Sequence, residues 1–506
     1  MRRIGIWIAA GGLLLATAAC GGGAGGGGAG GGGGTGATGG ASKAQSLSVG
    51  FVAEPANLDF TSTEGAAIPQ ALLVNVYEGL VKLDQDGEIV PLLAEKWDVS
   101  EDRRTYTFTL RQNVTFSSGA PFTADDAVFS LDRVKSDWKL KIKSQLDVID
   151  KAEKKDDATV VVTLKRPSNG FLYAMATRLG AMFSRTGVAD LANKPVGTGP
   201  YVLGSWRRGD SIQLGANPSY WGTKPPLSAI TLKYFKDATA MNNALLTGGI
   251  DVISSVQAPE SLQQFADPNR FQTVEGTTNG EVVLSMNNGR PPFDDKAVRQ
   301  AVRHAIDHKA LLDTAWAGRG QLIGSMVPPT DPWYEDRTGD YPYDQAKARQ
   351  LLGGKTYTVK MRIPNLPYAV NSAQVVKSQL AQVGITAEIE PLEFPARWLD
   401  VVFKQADYDL SIINHVEPRD MGIFADKSYY FRYDNPEFGK LLAAADEGTE
   451  QQQTDDLKQA AKLLSDDAAA DWLFLFPNLI VAKKGVTGLP KNAIAESFDF
   501  TALAKQ

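Results

Sequence analysis

Apolar and polar residues alternate along this chain with the periods of short strands and helices. Residues 47–52 and 105–110 repeat every two residues, as a half-buried strand does, whereas residues 296–315 carry apolar side chains at helical spacing. The same periods predict helices at 70–81, 369–383, 397–405, 438–446 and 454–470, a helix after the N-cap Thr123, and strands at 356–363, 386–391 and 410–413. Strands and helices that alternate in two blocks predict an α/β fold of two lobes with mixed sheets.

The first forty residues have a different pattern. Arg2 and Arg3 precede an apolar run at 4–19, then comes Cys20, and residues 21–40 are mostly glycine. A charged start, a short apolar core and small residues before a cut site are typical of a signal peptide. Cys20 at that cut site resembles the lipidated cysteine of bacterial lipoproteins. We therefore expect a lipoprotein signal peptide at 1–19, and a lipidated Cys20 with a Gly-rich flexible tether at 20–45.

One residue departs from the lipoprotein pattern. Thr17 stands where such signals favour leucine. Ordinary secretion with an incidental Cys20 therefore remains the alternative.

Composition narrows the possible partners and chemistry. The chain has 43% hydrophobic and 22% charged residues, as ordinary globular proteins do, and Cys20 is its single cysteine. The formal net charge is −6, without a basic stretch, which argues against a nucleic-acid partner. No nucleophile elbow or zinc-helix motif occurs, and Arg349 replaces the glycine that a phosphate loop would need before 353–356. His304 and His308 share a helix face but have no third metal ligand in pattern. From these absent motifs we predict that the protein holds no metal or cofactor and is not an enzyme.

A set of short segments spans nearly the whole chain from residue 47 onwards. They are 77–80 (YEGL), 89–97 (IVPLLAEKW), 106–111 (YTFTLR), 114–119 (VTFSSG), 122–128 (FTADDAV), 197–201 (GTGPY), 217–222 (NPSYWG) and 292–301 (PFDDKAVRQA). Their order and spacing resemble the extracellular solute-binding proteins of family 5, the peptide/nickel/oligopeptide group that serves ABC importers.

This resemblance implies a Venus-flytrap architecture with two lobes joined by a hinge, and an extra subdomain in the first lobe. The division it implies is lobe I at 46–278 with a subdomain at about 76–190, lobe II at 279–481, and a return to lobe I at 482–506. It also implies an extracytoplasmic, monomeric binder that closes on an oligopeptide or peptide-like solute and delivers it to an ABC permease. Contact with the membrane would then be through the lipid anchor alone.

The ligand loop of the family differs in this chain. Peptide-binding members hold the peptide amine with an aspartate in an Asp-x-x-Asp/Glu-Pro loop, and here Asn414 takes that position while Glu417 and Pro418 keep the acidic-Pro pair. An ionised carboxylate binds an ammonium about twice as strongly as a neutral amide. Glu417 or Asp420 is therefore a substitute for the lost charge, unless the ligand has no amine there. The candidate ligand-binding residues are Asn414, His415, Glu417, Arg419, Trp398, Arg397, Glu54, Asn57, Tyr77, Asn287 and Asn288.

Other ligand classes stay open at this stage. An oligosaccharide receptor would suit Trp398 and the neutral Asn414. A nickel-chelate or haem receptor would rest on His415. A secreted hydrolase is the alternative from a different class, since carboxylate pairs cannot be judged without geometry.

Overall fold

The computed structural model describes residues 45–506. Within that range the chain forms twenty strands: β1 (Ser46–Phe51), β2 (Val81–Leu83), β3 (Ile89–Pro91), β4 (Ala94–Val99), β5 (Thr105–Leu110), β6 (Ile149–Asp156), β7 (Thr159–Leu164), β8 (Tyr201–Arg207), β9 (Ser211–Ala216), β10 (Ala229–Tyr234), β11 (Val252–Ile253), β12 (Phe271–Gly276), β13 (Glu281–Met286), β14 (Tyr357–Pro364), β15 (Ile385–Leu392), β16 (Leu410–His415), β17 (Ala470–Leu475), β18 (Asn478–Lys483), β19 (Val486–Thr487) and β20 (Ala504–Lys505).

The same range contains eleven α-helices and several shorter helical turns. The α-helices are α1 (Ala67–Leu72), α2 (Ala124–Ser136), α3 (Phe171–Met175), α4 (Ala238–Leu246), α5 (Lys296–Ala305), α6 (His308–Trp316), α7 (Gln345–Leu352), α8 (Pro367–Ala381), α9 (Ala396–Trp398), α10 (Pro436–Glu447) and α11 (Glu450–Asp466). A π-helical turn follows at Leu399–Lys404, and 3-10 turns lie at Lys141–Leu146, Arg178–Gly180, Pro259–Phe265 and Asp420–Ala425.

A seven-stranded sheet, in the order β12-β18-β11-β1-β10-β9-β8, forms the base of what we call lobe I. β1 pairs in parallel with β10 and β11, and the remaining pairs are antiparallel. A separate antiparallel sheet, β4-β5-β7-β6, is inserted in the chain between β1 and β8. Its strands β5 and β7 alternate intermediate and buried residues, because one face packs on α2 and the hydrophobic core.

Lobe II is built on a five-stranded sheet in the order β15-β14-β16-β13-β17. β14 pairs in parallel with β15 and β16, whereas β13 is antiparallel to β16 and β17, so this sheet is mixed as well. β13 and β17 are buried along their whole length, although β17 lies at the edge of this sheet. The mixed sheets of an α/β fold were predicted from the sequence and are confirmed.

The chain crosses between the two large sheets at 277–280 and again at 476–477. The crossings are joined to each other, because the Thr278 hydroxyl donates to the Phe476 carbonyl (2.6 Å) and the Phe476 amide donates to the Gly280 carbonyl (2.6 Å). A Cβ on Gly280 would lie 2.8 Å from Asn414 Oδ1, so the first crossing approaches this side chain closely. Since β18 already belongs to the lobe I sheet, the return crossing comes earlier than the predicted division at 481/482.

One buried carboxyl, Glu78, explains three of the motifs in the sequence. It is 1% exposed and accepts hydrogen bonds from Thr198 Oγ1 (2.8 Å), Tyr220 Oη (3.0 Å) and Trp221 Nε1 (2.9 Å). These donors come from segments 197–201 and 217–222, so one side chain joins both to segment 77–80. Burial raises the pKa of Glu78 to about 7, and the three donors oppose that rise. These three motifs thus meet at one buried carboxyl group in lobe I.

Several predicted elements differ in length from the observed ones. The helix predicted at 296–315 is two helices, because Ile306 is extended and Asp307 caps α6 by accepting from the Ala310 amide. The helix predicted at 70–81 ends at Leu72, and residue Val74 has a φ of 59°. Thr123 does begin α2, in a capping box with Asp126.

No helix among residues 45–506 is long and apolar enough to span a bilayer. The predicted signal peptide, Cys20 and nearly all of the predicted tether lie outside the described residues.

Candidate functional site

The two lobes meet at a small cavity with walls from both sides. Its volume is about 10 Å³, close to the space one water molecule needs. Lobe I contributes Gly87, Tyr173 and Ile494, lobe II contributes Thr330, Asp331 and Arg419, and Asn279 comes from the first crossing. The lobes are therefore in direct contact here.

Arg419 joins the two walls of this cavity. Its guanidinium lies 3.8 Å from the ring centroid of Tyr173 in lobe I and 4.8 Å from that of Trp333 in lobe II. Nε also lies 3.3 Å from Asp331 Oδ1, whose side chain is 9% exposed. Burial raises the pKa of Asp331 to about 6, and the charge of Arg419 opposes the rise. A cation stacked on a ring of the opposite lobe stabilises the closed arrangement.

Beside the cavity, His415 lies at the end of β16 with both ring nitrogens near protein groups. Nε2 is 2.8 Å from Tyr430 Oη, and Nδ1 is 3.3 Å from Asp420 Oδ2. The Tyr430 hydroxyl in turn lies 2.9 Å from Ser285 Oγ. One nitrogen or oxygen each of His415, Glu417 and Asp420 lies within 4.8 Å of the others, a spacing that suits a cation. The ring itself, however, is held by its neighbours.

A further carboxyl, Glu281, completes this group. It begins β13 and pairs in register with His415 on β16, so both side chains are on the same face of the sheet. Glu281 is 2% exposed, and its Oε2 has no hydrogen-bond partner among residues 45–506. Burial raises the pKa of Glu281 well above its usual range, and the charge of Asp420 raises it further. We call Glu281, His415, Glu417 and Asp420 the acidic cluster.

Lobe I presents a buried ion pair toward this region. Arg178 and Glu496 are paired through the guanidinium, and the Arg178 amide also donates to Glu496 Oε2 (2.7 Å). Their side chains are 4% and 5% exposed. Partial burial raises the pKa of Glu64, Arg178 opposes this, and the charge of Glu417 in the other lobe raises it further.

A second interlobe contact lies where the four-stranded sheet of lobe I meets the end of α10. Asp446 Oδ2 pairs with Arg166 Nη1 (2.6 Å), and Oδ1 accepts from Ser168 Oγ (2.8 Å) and the Gly170 amide (2.9 Å). None of these residues belongs to the acidic cluster or lines the cavity.

The last carbonyls of α10 are satisfied by the same region of lobe I. Asn169 Nδ2 donates to the carbonyls of Ala445 (2.8 Å) and Gly448 (2.9 Å), and Arg103 donates to those of Glu447 and Gly448, both at 2.5 Å. The final carbonyls of a helix have no partner within it, so the opposite lobe caps α10. We call residues 103, 166 and 168–170, together with 445–448, the interlobe latch.

Four of the residues predicted for the ligand loop lie near the cleft, but they do not all face the same way. His415 and Glu417 belong to the acidic cluster, and Arg419 lines the cavity. Asn414 precedes His415 on β16, so its side chain points to the other face, where it packs against Gly280. Asn414 Oδ1 is buried without a partner among the described residues.

Of four other predicted residues, three are buried within the lobes and Asn288 is partly buried. Trp398 is 3% exposed, donates to Ser411 Oγ (3.2 Å) and packs behind Tyr430, so it is not an aromatic wall of the cleft in this structure. Tyr77 is 1% exposed between Phe60 and Phe183. The amides of two asparagines donate to backbone carbonyls: Asn287 to Ala406 and Tyr408, Asn288 to Met286, Phe431 and Ala469.

The remaining three predicted residues take part in local structure. Arg397 is exposed and lies 3.7 Å from Asp400 on the same helical segment. Glu54 accepts from Trp206 Nε1 (2.8 Å) and the Gly209 amide, which fixes the β8–β9 hairpin. Asn57 forms a turn by accepting from the Asp59 amide and donating to Thr63.

Sequence reasoning missed Glu281, Asp331 and Tyr173 at the cleft, and it missed the separate interlobe latch. A glutamate at the first position of a mostly apolar strand was the one available signal, and it marks Glu281. The others become neighbours only through contacts between distant parts of the chain.

Two lobes on mixed sheets, two chain crossings and a polar cleft between them define a two-lobe binding protein. The model of bacterial extracellular solute-binding proteins, family 5, matches residues 88–434, and the chain belongs to this family. Members bind solutes for ABC importers and are not enzymes, so the sequence-based assignment is confirmed.

Individual relatives support the same assignment. The chain is 34% identical to the glutathione-binding protein GsiB of Salmonella typhi over 345 residues, which are 66% of this chain and 67% of that protein. It is 28% identical over 465 residues to the probable D,D-dipeptide-binding periplasmic protein DdpA of Escherichia coli, and the aligned region covers 85% of this chain and 88% of that protein. The oligopeptide-binding protein AppA of Bacillus subtilis, in complex with a nonapeptide, has the same fold, with a TM-score of 0.81 and 23% identity. The match covers 92% of this chain and 100% of AppA.

Proposed function

We propose that this protein is a lipid-anchored extracytoplasmic receptor that captures an oligopeptide or peptide-like solute in the interlobe cleft and delivers it to an ABC import permease. The observation that carries the proposal is the convergence of polar and charged groups of both lobes on one cleft, with Arg419 stacked on Tyr173 across it. The names of GsiB, DdpA and AppA refer to glutathione, a D,D-dipeptide and oligopeptides, which supports a peptide-like ligand.

Closure of the two lobes on the solute distinguishes the loaded receptor from the empty one and so allows delivery to the permease. A solute shifts the lobes toward the closed state only if it binds that state more tightly than the open one. A peptide that contacts the acidic cluster of lobe II and Tyr173 of lobe I meets this condition. Because the closed cavity is about 10 Å³, the solute enters while the lobes are apart.

Isothermal titration of the purified protein with a peptide library, and separately with cello- and xylo-oligosaccharides, tests the ligand class. We expect saturable heat from peptides and none from sugars. Saturable heat from sugars alone would replace the peptide by a carbohydrate ligand. Titration with nickel-histidine or haem, with His415→Ala as the comparison, tests the remaining class; unchanged affinity of that variant excludes a metal-complex role for His415.

The lipid anchor is proposed from the sequence around Cys20. A tether at 20–45 would hold the binder close to its permease and raise the effective concentration of their encounter. Detergent phase partitioning of the protein expressed with its signal tests this. We expect the wild type in the detergent phase and Cys20→Ser in the aqueous phase. Equal partitioning of both into water would favour ordinary secretion.

A further inference from the structure

The acidic groups of the cleft outnumber the basic ones. Asp331 is paired with Arg419, and Glu496 is paired with Arg178. No lysine or arginine pairs with the carboxyl groups of Glu64, Glu281, Glu417 or Asp420 among residues 45–506. His415 lies 3.3 Å from Asp420 and is the partner of that carboxyl.

Two observations show that this is more than a solvated acidic patch. The side chains of His415 and Asp420 are 6% and 7% exposed, so the cluster lies away from bulk water. Glu281 is on the same sheet face as His415, and its buried Oε2 lacks a partner among the described residues. A buried oxygen without a donor costs free energy that a ligand donor would recover.

The alternative use of the cluster, as a metal site centred on His415, fits less well. Nε2 lies within hydrogen-bond distance of Tyr430, and Nδ1 is at ion-pair distance from Asp420. Stacking between the His415 ring and both Tyr430 and Phe431 holds the imidazole in that orientation. An ammonium or guanidinium, which donates to carboxylate oxygens and needs no ring nitrogen, suits these partners.

We infer that the cleft selects solutes with a net positive charge, whose cationic group donates to Glu281, Glu417 and Asp420 of lobe II. This inference rests on the proposed function and adds the charge class of the solute. It also predicts that glutathione, which carries two carboxylates and one ammonium, is a poor ligand despite the resemblance to GsiB.

Three tripeptide pools with side-chain charges of +1, 0 and −1 test the inference by isothermal titration. We expect the +1 pool to bind at least tenfold more tightly than the neutral pool, and glutathione to bind no better than the −1 pool. Glu417→Gln, at a partly exposed position, should remove most of the preference for the +1 pool. Glu281→Gln has the same shape as the wild-type side chain and should act in the same direction. Glu437→Gln, an exposed residue paired with Lys440, is the matched control and should leave the preference unchanged.

The outcomes separate this inference from the proposed function. Equal binding of the three pools, or tighter binding of glutathione, would overturn the charge preference and leave the peptide receptor intact. If no peptide binds but spermidine does, and Glu417→Gln abolishes that binding, the charge preference stands and the peptide ligand falls. Absence of binding by peptides and spermidine alike would overturn both.

Discussion

Removing the carboxylate of Asp446 should weaken solute binding, although Asp446 is not part of the acidic cluster or the cavity wall. Its two oxygens hold Arg166, Ser168 and the Gly170 amide of the opposite lobe. These contacts require the two lobes to be together, so they stabilise the closed state and are lost when the lobes separate. Asp446→Ala therefore shifts the closing equilibrium toward the open form.

The structure sets the size of this effect. A hydrogen bond to a charged group contributes about 1.5–3 kcal/mol when buried, and an exposed ion pair contributes about 0.2–1 kcal/mol. The Asp446 side chain is 26% exposed and that of Arg166 is 42% exposed, so we discount the ion pair and estimate about 2 kcal/mol in total. If the free protein is mainly open, that value corresponds to about 30-fold weaker binding. Asp446→Asn keeps the Oδ1 acceptor and should weaken binding only about threefold.

Isothermal titration with the best-binding peptide pool measures these affinities, and small-angle scattering measures the radius of gyration with and without ligand. Asp455→Ala removes an exposed carboxylate from the neighbouring α11, where its partner is Gln451 of the same helix, and serves as the control. Urea unfolding of each variant checks that the fold is intact. An Asp446→Ala protein that binds within twofold of the wild type, with the same compaction, would refute a role for the latch in closure.

Two buried carboxyls lead to stability predictions. Glu78 has a folded pKa of about 7 against about 4.5 when unfolded, so its favourable contribution is complete below pH 4.5 and is lost as the pH rises through 7. The free energy of unfolding, measured in urea, should therefore fall less between pH 5 and 8 for Glu78→Gln than for the wild type, and the difference should be about 2–3 kcal/mol. Equal falls for the two proteins would contradict this. Asp471→Asn leaves Arg303 buried with a weakened partner and should lower the free energy of unfolding by about 3 kcal/mol. The control Asp466→Asn, at an exposed position, should change it by no more than about 0.5 kcal/mol. Equal urea midpoints for the two variants would show that the buried pair does not stabilise the fold.

The local pattern of the chain predicted its elements well where one period dominates. β5 alternates as expected, and Thr123 with Asp126 begins α2 in a capping box. Helix ends were less predictable. The break between α5 and α6 depends on Asp307, an N-cap inside a continuous apolar pattern.

The cleft could be predicted only in part, because strand pairing and lobe contact create it. The loop that contains His415, Glu417 and Arg419 was visible through its resemblance to the family. Glu281 joins it because β13 pairs with β16, and Asp446 meets Arg166 because the lobes touch there. Trp398 and Tyr77 were misplaced for the opposite reason, since an aromatic residue in sequence does not show whether it faces a core or a cleft.

The central claim is that the cleft binds a peptide-like solute, and native mass spectrometry tests it most directly. The purified protein would be incubated with an equimolar mixture of tripeptides and cello-oligosaccharides, and the mass of the bound complex would be recorded. We predict a single-solute adduct with a tripeptide mass, which disappears when the protein is unfolded. Adducts with oligosaccharide masses only, or no adduct at saturating concentrations, would contradict the account.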